Sequence, residues 1–102
     1  DEPCGSILLT ADTICNYLTT NNTDATVSTG IPAPGCGGTI YQDVWFKVVA
    51  PVSGGLVING GQVVGSFADG ALAAYSGTCS NLSLLGCNDD FGGSGNMPHL
   101  VL

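Results

Sequence analysis

The apolar residues of this chain come in short runs closed by Gly, Pro or Asn, and almost nowhere with the spacing of a helix. That pattern excludes most architectures, because a packed helix needs an apolar stripe recurring every three to four residues. The clearest run is "DVWFKVVA", residues 43–50, where Val44, Phe46 and Val48 alternate with Asp43, Trp45 and Lys47. Such alternation marks a half-buried strand, whose successive side chains leave on opposite faces. "APVSGG" then turns the chain into "GLVING", residues 55–60, predicted as the second strand of a hairpin. "ALAAYSG" and "LSLLGC" form another predicted hairpin, around a turn at residues 77–81.

Upstream, "SILLT" and "CNYLTT" read as strands, with "NNTDAT" a polar loop leading into "VSTG". The competing helix over residues 10–18 lacks strong helix formers and carries β-branched Thr13 and Ile14. "GIPAPGCGG" is a long irregular connection. About seven short strands, roughly 8–12 residues apart, predict an all-β fold: an antiparallel two-sheet β-sandwich.

A chain of 102 residues is one domain, able to bury roughly 65% of its unfolded surface. Residues 1–102 are expected to form a single β-sandwich domain, a fragment or repeat unit of a larger secreted protein. Eight acids against one base, Lys47, give a net charge of −7. That field repels phosphate backbones and anionic lipid, so nucleic acid is excluded as a partner. No apolar run approaches the roughly 20 residues that span a bilayer, so membrane insertion is not expected.

Five cysteines point to an oxidising compartment. There is no C-x-x-C, and His99 is the one histidine, which argues against a zinc site. Four cysteines pairing with one left over leaves about fifteen arrangements open. The strand layout favours Cys79 with Cys87 across the second hairpin, and Cys15 with Cys36 around the polar loop. Cys4 is then unpaired or linked to a partner outside the chain.

"DEPCGSILLT", "GIPAPGC", "DVWFKV", "GALAAYSGTCSNLSLLGCNDD" and "MPHLVL" follow one another in the order of a known module. The chain resembles the galactose-binding-like β-sandwich domains associated with type IX secretion in Bacteroidetes, related in pattern to bacterial pre-peptidase C-terminal domains. The resemblance covers nearly the whole chain, and its most specific part is "YSGTC" through "CNDD". It implies a jelly-roll-like, non-catalytic module of large secreted or surface proteins. Family members continue past "MPHLVL" with a glycine turn and another strand, so the sandwich here is expected to lack its last strand. "DTI", residues 12–14, resembles the short O-glycosylation sequence of the same bacteria and marks Thr13.

Two sites are expected. Asp89 and Asp90, beside the "FGGSGN" loop, could turn inward with Asn96 and Asp69 to offer oxygen ligands to Ca²⁺, with Asp1 and Glu2 as further candidates. The competing reading is that these acids cap turns through backbone N–H groups. Trp45, Tyr41, Tyr75 and Phe91 could form a platform that stacks on a sugar ring, and Trp45 and Tyr41 share a strand parity. The competing reading packs Trp45 under a loop or against the sheet edge. Asn21 and Asn81 fit the N-glycosylation pattern, which matters only in a eukaryotic secretory host. Catalysis has no support: His99 has no spaced partner, and no arginine exists to hold an anion.

The expected function is a non-catalytic extracellular binding or adhesion module, secreted or on the bacterial surface. Its expected partner is a glycan or surface polymer, with Ca²⁺ as the cofactor considered. The alternative is a structural subunit of an extracellular fibre or adhesin stalk. Neighbouring copies or other domains of the same protein would then complete the sheets by strand addition, with "HLVL" and "SILLT" bordering the gap or donated across it.

Overall fold

The structure, a computed structural model, describes residues 2–36, 42–61, 70–89 and 99–102. Among them the chain is all-β: six strands and a single short 3-10 turn, Pro3–Gly5. The strands are β1 (Ile7–Leu9), β2 (Phe46–Val48), β3 (Val57–Asn59), β4 (Leu72–Thr78), β5 (Asn81–Asn88) and β6 (His99–Val101). They form three two-stranded ladders: β1 with β2, β3 with β6, and β4 with β5. No helix among the described residues is long and apolar enough to cross a membrane.

The second predicted hairpin is present. β4 and β5 pair antiparallel from Leu72↔Asn88 to Thr78↔Asn81, leaving Cys79 and Ser80 as the two-residue turn. The register slips between Ala74 and Tyr75, where Ala74 faces Gly86 and Tyr75 faces Leu84. Leu85 is therefore the extra residue of a bulge, and it points to solvent.

The first predicted hairpin is not formed. The turn does exist, closed by a hydrogen bond from Gly54 N to Pro51 O at 2.8 Å, with Gly54 at φ +79°. However, residues 49–56 separate the two strands, more than the two to five residues of a hairpin loop. β2 instead pairs parallel with β1, Ile7↔Phe46 through Leu9↔Val48, while β3 pairs antiparallel with β6.

"CNYLTT" and "VSTG" are not strands either. Asp12 Oδ1 accepts from Thr13 N at 2.6 Å, and Asn16 Nδ2 donates to the Ile14 carbonyl. Side chains that capture neighbouring backbone groups in this way compete with a ladder. Ile14, Tyr17 and Leu18 are exposed.

β6 is held within the chain. Leu56 and Leu102 exchange both backbone hydrogen bonds, at 3.2 and 2.8 Å, extending the β3–β6 ladder by one pair. Leu56, Ile58, Leu100 and Leu102 share one face of this ladder, and Val57 and Val101 share the other, exposed face. A Cβ on Gly86 of β5 would lie 3.4 Å from Leu100 Cδ1 and 3.9 Å from Leu102 Cδ2. The missing side chain at Gly86 thus makes room for the leucines of β6 against β5.

The disulfides correct the predicted pairing. Cys4 is joined to Cys79 and Cys36 to Cys87, with Cα–Cα distances of 4.9 and 6.1 Å. Cys15 is the free thiol and it is exposed. The pairing of Cys79 with Cys87 fails because the register sets Cys87 opposite Ala73, near the base of the hairpin, while Cys79 sits in its turn. Cys15 with Cys36 fails because Cys15 lies in the exposed segment and Cys36 is taken by β5. The hairpin is consequently tied at its tip to the N-terminal turn and near its base to the proline-rich connection. Two such bonds fit an oxidising compartment.

Candidate ligand groove at Trp45

Asp43 and Trp45 stand two residues apart, so an extended backbone places both side chains on one side. The structure uses that parity. Trp45 Nε1 donates to Ser28 Oγ at 2.9 Å and to Asp43 Oδ2 at 3.1 Å. The other carboxylate oxygen, Asp43 Oδ1, accepts from Ser28 N at 3.1 Å. Ser28 is one of only two buried residues among those described, at 7% exposure; the other is Ala74, at 8%. A buried backbone N–H at Ser28 and a half-buried indole N–H without partners would be costly, and the one carboxylate accepts from both.

The indole ring also packs against Tyr75 of β4, with centroids 5.5 Å apart and planes tilted by 39°. The Tyr75 hydroxyl donates to the Pro32 carbonyl at 2.8 Å. Trp45 thereby joins three separate parts of the chain: the segment entering β2, the stretch at Ser28 and strand β4.

Burial and the nearby negative charge of Asp43 raise the pKa of Tyr75 above its ordinary 10.0. A raised pKa means that the folded state keeps this proton after the unfolded chain has lost it. The associated stability is complete below pH 10 and is lost as pH rises through the folded value. Tyr75→Phe is expected to remove a phenolate that titrates above pH 10 from the ultraviolet titration and to flatten the loss of stability in that range. An unchanged titration curve would contradict the Tyr75 environment.

Beside Trp45 lies the polar loop. Asn21 Oδ1 accepts from Thr23 N at 3.0 Å, and Ala25 N donates to the Asn22 carbonyl at 3.0 Å. Asp24 takes φ +61°, a left-handed conformation that Asp tolerates better than most residues. Asn22 Nδ2 donates to the Gln42 carbonyl at 3.3 Å, fastening the loop to the segment that leads into β2. Between loop and strand runs an open groove of about 340 Å³, whose lining includes Ile7, Val44 and Trp45 together with Thr20, Asn21, Thr23 and Asp24. A second groove of about 550 Å³, lined by Val27, Ile31, Ala33, Pro34 and their neighbours, begins at Ser28.

Trp45 is therefore half-buried and anchored, rather than one of an exposed pair. Its expected companion Tyr41 lies outside the described residues, as do Phe91, Asp1, Asp69, Asp90 and Asn96. Asp89, the remaining member of the expected calcium set, is half-buried directly after β5, and Glu2 is exposed. Among the described residues, no group of three or more His, Cys, Asp or Glu could hold a metal ion. Thr13 is exposed, with its backbone N–H bonded to Asp12. The groove residues Asn21, Thr23 and Asp24 were legible only as a polar loop, and Thr20 only as the end of the predicted strand "CNYLTT", because nothing local in the sequence says that the segment entering β2 lies beside them.

His99 does have partners. Its Nδ1 is hydrogen-bonded to Asn59 Oδ1, and its backbone N–H donates to Asn88 Oδ1 at 3.1 Å. Set against known proteins, the chain matches no family model, no curated protein and no solved structure.

Proposed function

We propose that this chain is a non-catalytic extracellular binding module whose ligand is a glycan or a similar neutral surface polymer. The observation that carries this reading is the groove at Trp45. Its lining brings Trp45, Ile7 and Val44 together with residues that carry hydroxyl, amide and carboxylate groups. A sugar has the same two kinds of surface, with a C–H face that packs on an aromatic ring and an edge of hydroxyls that hydrogen-bond. In this reading the chain is a jelly-roll-like two-sheet sandwich of the type IX secretion-associated kind, in line with its sequence resemblance, and is exported.

Trp45 is the single tryptophan, so its fluorescence reports on the groove directly. Titration with a panel of neutral and acidic polysaccharides is expected to give a saturable emission change with at least one neutral member. Asn21→Ala combined with Thr23→Ala should weaken that binding by about tenfold, the loss of roughly 1.4 kcal/mol of polar contact. A flat response across the panel would sink the glycan reading.

Calcium belongs to the same proposal, through Asp89, Asp90, Asp69 and Asn96. If Ca²⁺ at a hundred times its Kd holds that loop, chelation lowers the melting temperature by roughly 10 °C, the equivalent of about 2.7 kcal/mol. Identical melting curves with and without chelator would remove calcium from the proposal.

A further inference from the structure

Asn59 is followed by Gly60, and Asn-Gly occurs nowhere else in the chain. Without a Cβ on the following residue, the backbone nitrogen of Gly60 meets little steric hindrance in approaching the side-chain carbonyl carbon of Asn59. The tertiary structure adds something the dipeptide lacks. His99, the ladder partner of Asn59, has its Nδ1 hydrogen-bonded to Asn59 Oδ1. An amide oxygen only accepts, so Nδ1 carries the hydrogen. The other end of the same carboxamide, Nδ2, points toward Cys15 Sγ at 3.9 Å.

We infer that Asn59–Gly60 is a self-modification site, at which Asn59 deamidates through a succinimide and His99 stabilises the charge that develops on its oxygen. Gly60 N attacks Asn59 Cγ, and its proton passes to solvent. The C–N bond forms as the carbonyl π pair moves onto Oδ1, where the His99 N–H donates to it, as an oxyanion-hole donor does. Collapse of this intermediate breaks the Cγ–Nδ2 bond and, with a proton from solvent, releases ammonia. Water then opens the ring at either carbonyl, giving aspartate or isoaspartate at position 59. The net change is asparagine plus water to aspartate or isoaspartate plus ammonia, with no oxidant or reductant.

The location gives the reaction a structural consequence. Asn59 is the last residue of β3 and is exposed, so attack requires the ladder to open by only its terminal pair. Isoaspartate adds a methylene to the backbone there. The added length displaces Asn59 from His99 and loosens the strand that holds Leu100 and Leu102 against Gly86. The site would act as an ageing clock on the β3–β6 ladder.

The test is peptide mapping by mass spectrometry of the folded, oxidised protein over weeks at neutral pH and 37 °C. Asn59 is expected to gain about one mass unit and to yield isoaspartate, ahead of every other asparagine. His99→Ala should slow this roughly tenfold, less than the effect of a buried oxyanion donor because Asn59 faces water. His99→Asn, which keeps a donor, covers the case in which the alanine variant does not fold, and it should react at an intermediate rate. Gly60→Ala should suppress the reaction in any background. An Asn59 that stays intact, or one that reacts as fast in the histidine variants as in the parent, would overturn the inference.

Discussion

Replacing Cys4 and Cys79 together by serine is expected to lower the stability of this protein by about 4 kcal/mol. The bond spans a sequence separation of 75 residues, and closing so long a loop removes much of the freedom of the unfolded chain. The Cys36–Cys87 bond, with a separation of 51, is of similar magnitude taken alone. The two loops overlap, so losing both should cost less than the sum. The effect is large relative to what packing supplies here. Among the described residues no side chain is fully enclosed, and Ala74 is the one apolar residue in the buried class. Against a total stability of roughly 5–15 kcal/mol, one such bond decides whether the chain folds at body temperature. Urea unfolding of the serine variants measures the loss. Non-reducing peptide mapping should recover Cys4 with Cys79 and Cys36 with Cys87, and a thiol reagent should label Cys15 in the native protein. Labelling of Cys4 instead would restore the pairing that strand order suggested.

Gly77→Ala is the second large effect, expected at about 3 kcal/mol. Gly77 takes φ +111°, outside the conformations open to an L side chain, just before the turn of the β4–β5 hairpin. A Cβ there would collide with the backbone carbonyl oxygen of Asn81, across the turn. Backbone cannot swing aside as a flexible side chain can, and Cys79, fixed to Cys4, holds the same turn in place. The damage should therefore appear in the whole hairpin and not only at its tip. Thermal unfolding of the oxidised variant measures it, and a melting temperature within one or two degrees of the parent would contradict the turn geometry. Gly54→Ala is a useful comparison, since Gly54 also has a positive φ but no atom within 4 Å of the added Cβ.

Local chemistry explains what was readable in advance. The β4–β5 hairpin followed from two apolar runs around a short turn, because register and turn length are set within some twenty residues of chain. The absence of α-helix among the described residues followed from periodicity. The polar loop at residues 21–26 followed from its Asn, Thr and Asp content, and the structure shows side chains and backbone groups within it bonding to one another. The parity that puts Asp43 and Trp45 on one side of the chain is also present in the sequence, where it is compatible both with an exposed aromatic pair and with a packed Trp45.

What the sequence by itself determined is thus the β class of the chain, the β4–β5 hairpin and the side-chain parity along its extended segments, all of which depend on neighbours a few positions away. Only the tertiary structure decided the partners. β2 chose β1 over β3, Cys79 chose Cys4 over Cys87, and Trp45 turned its indole N–H toward Ser28, seventeen positions earlier. The physical reason is that strand edges, thiols and indole donors carry no address of their own. Each is satisfied by whatever the folded chain brings within bonding distance, and that distance is set by the whole fold rather than by spacing along the sequence.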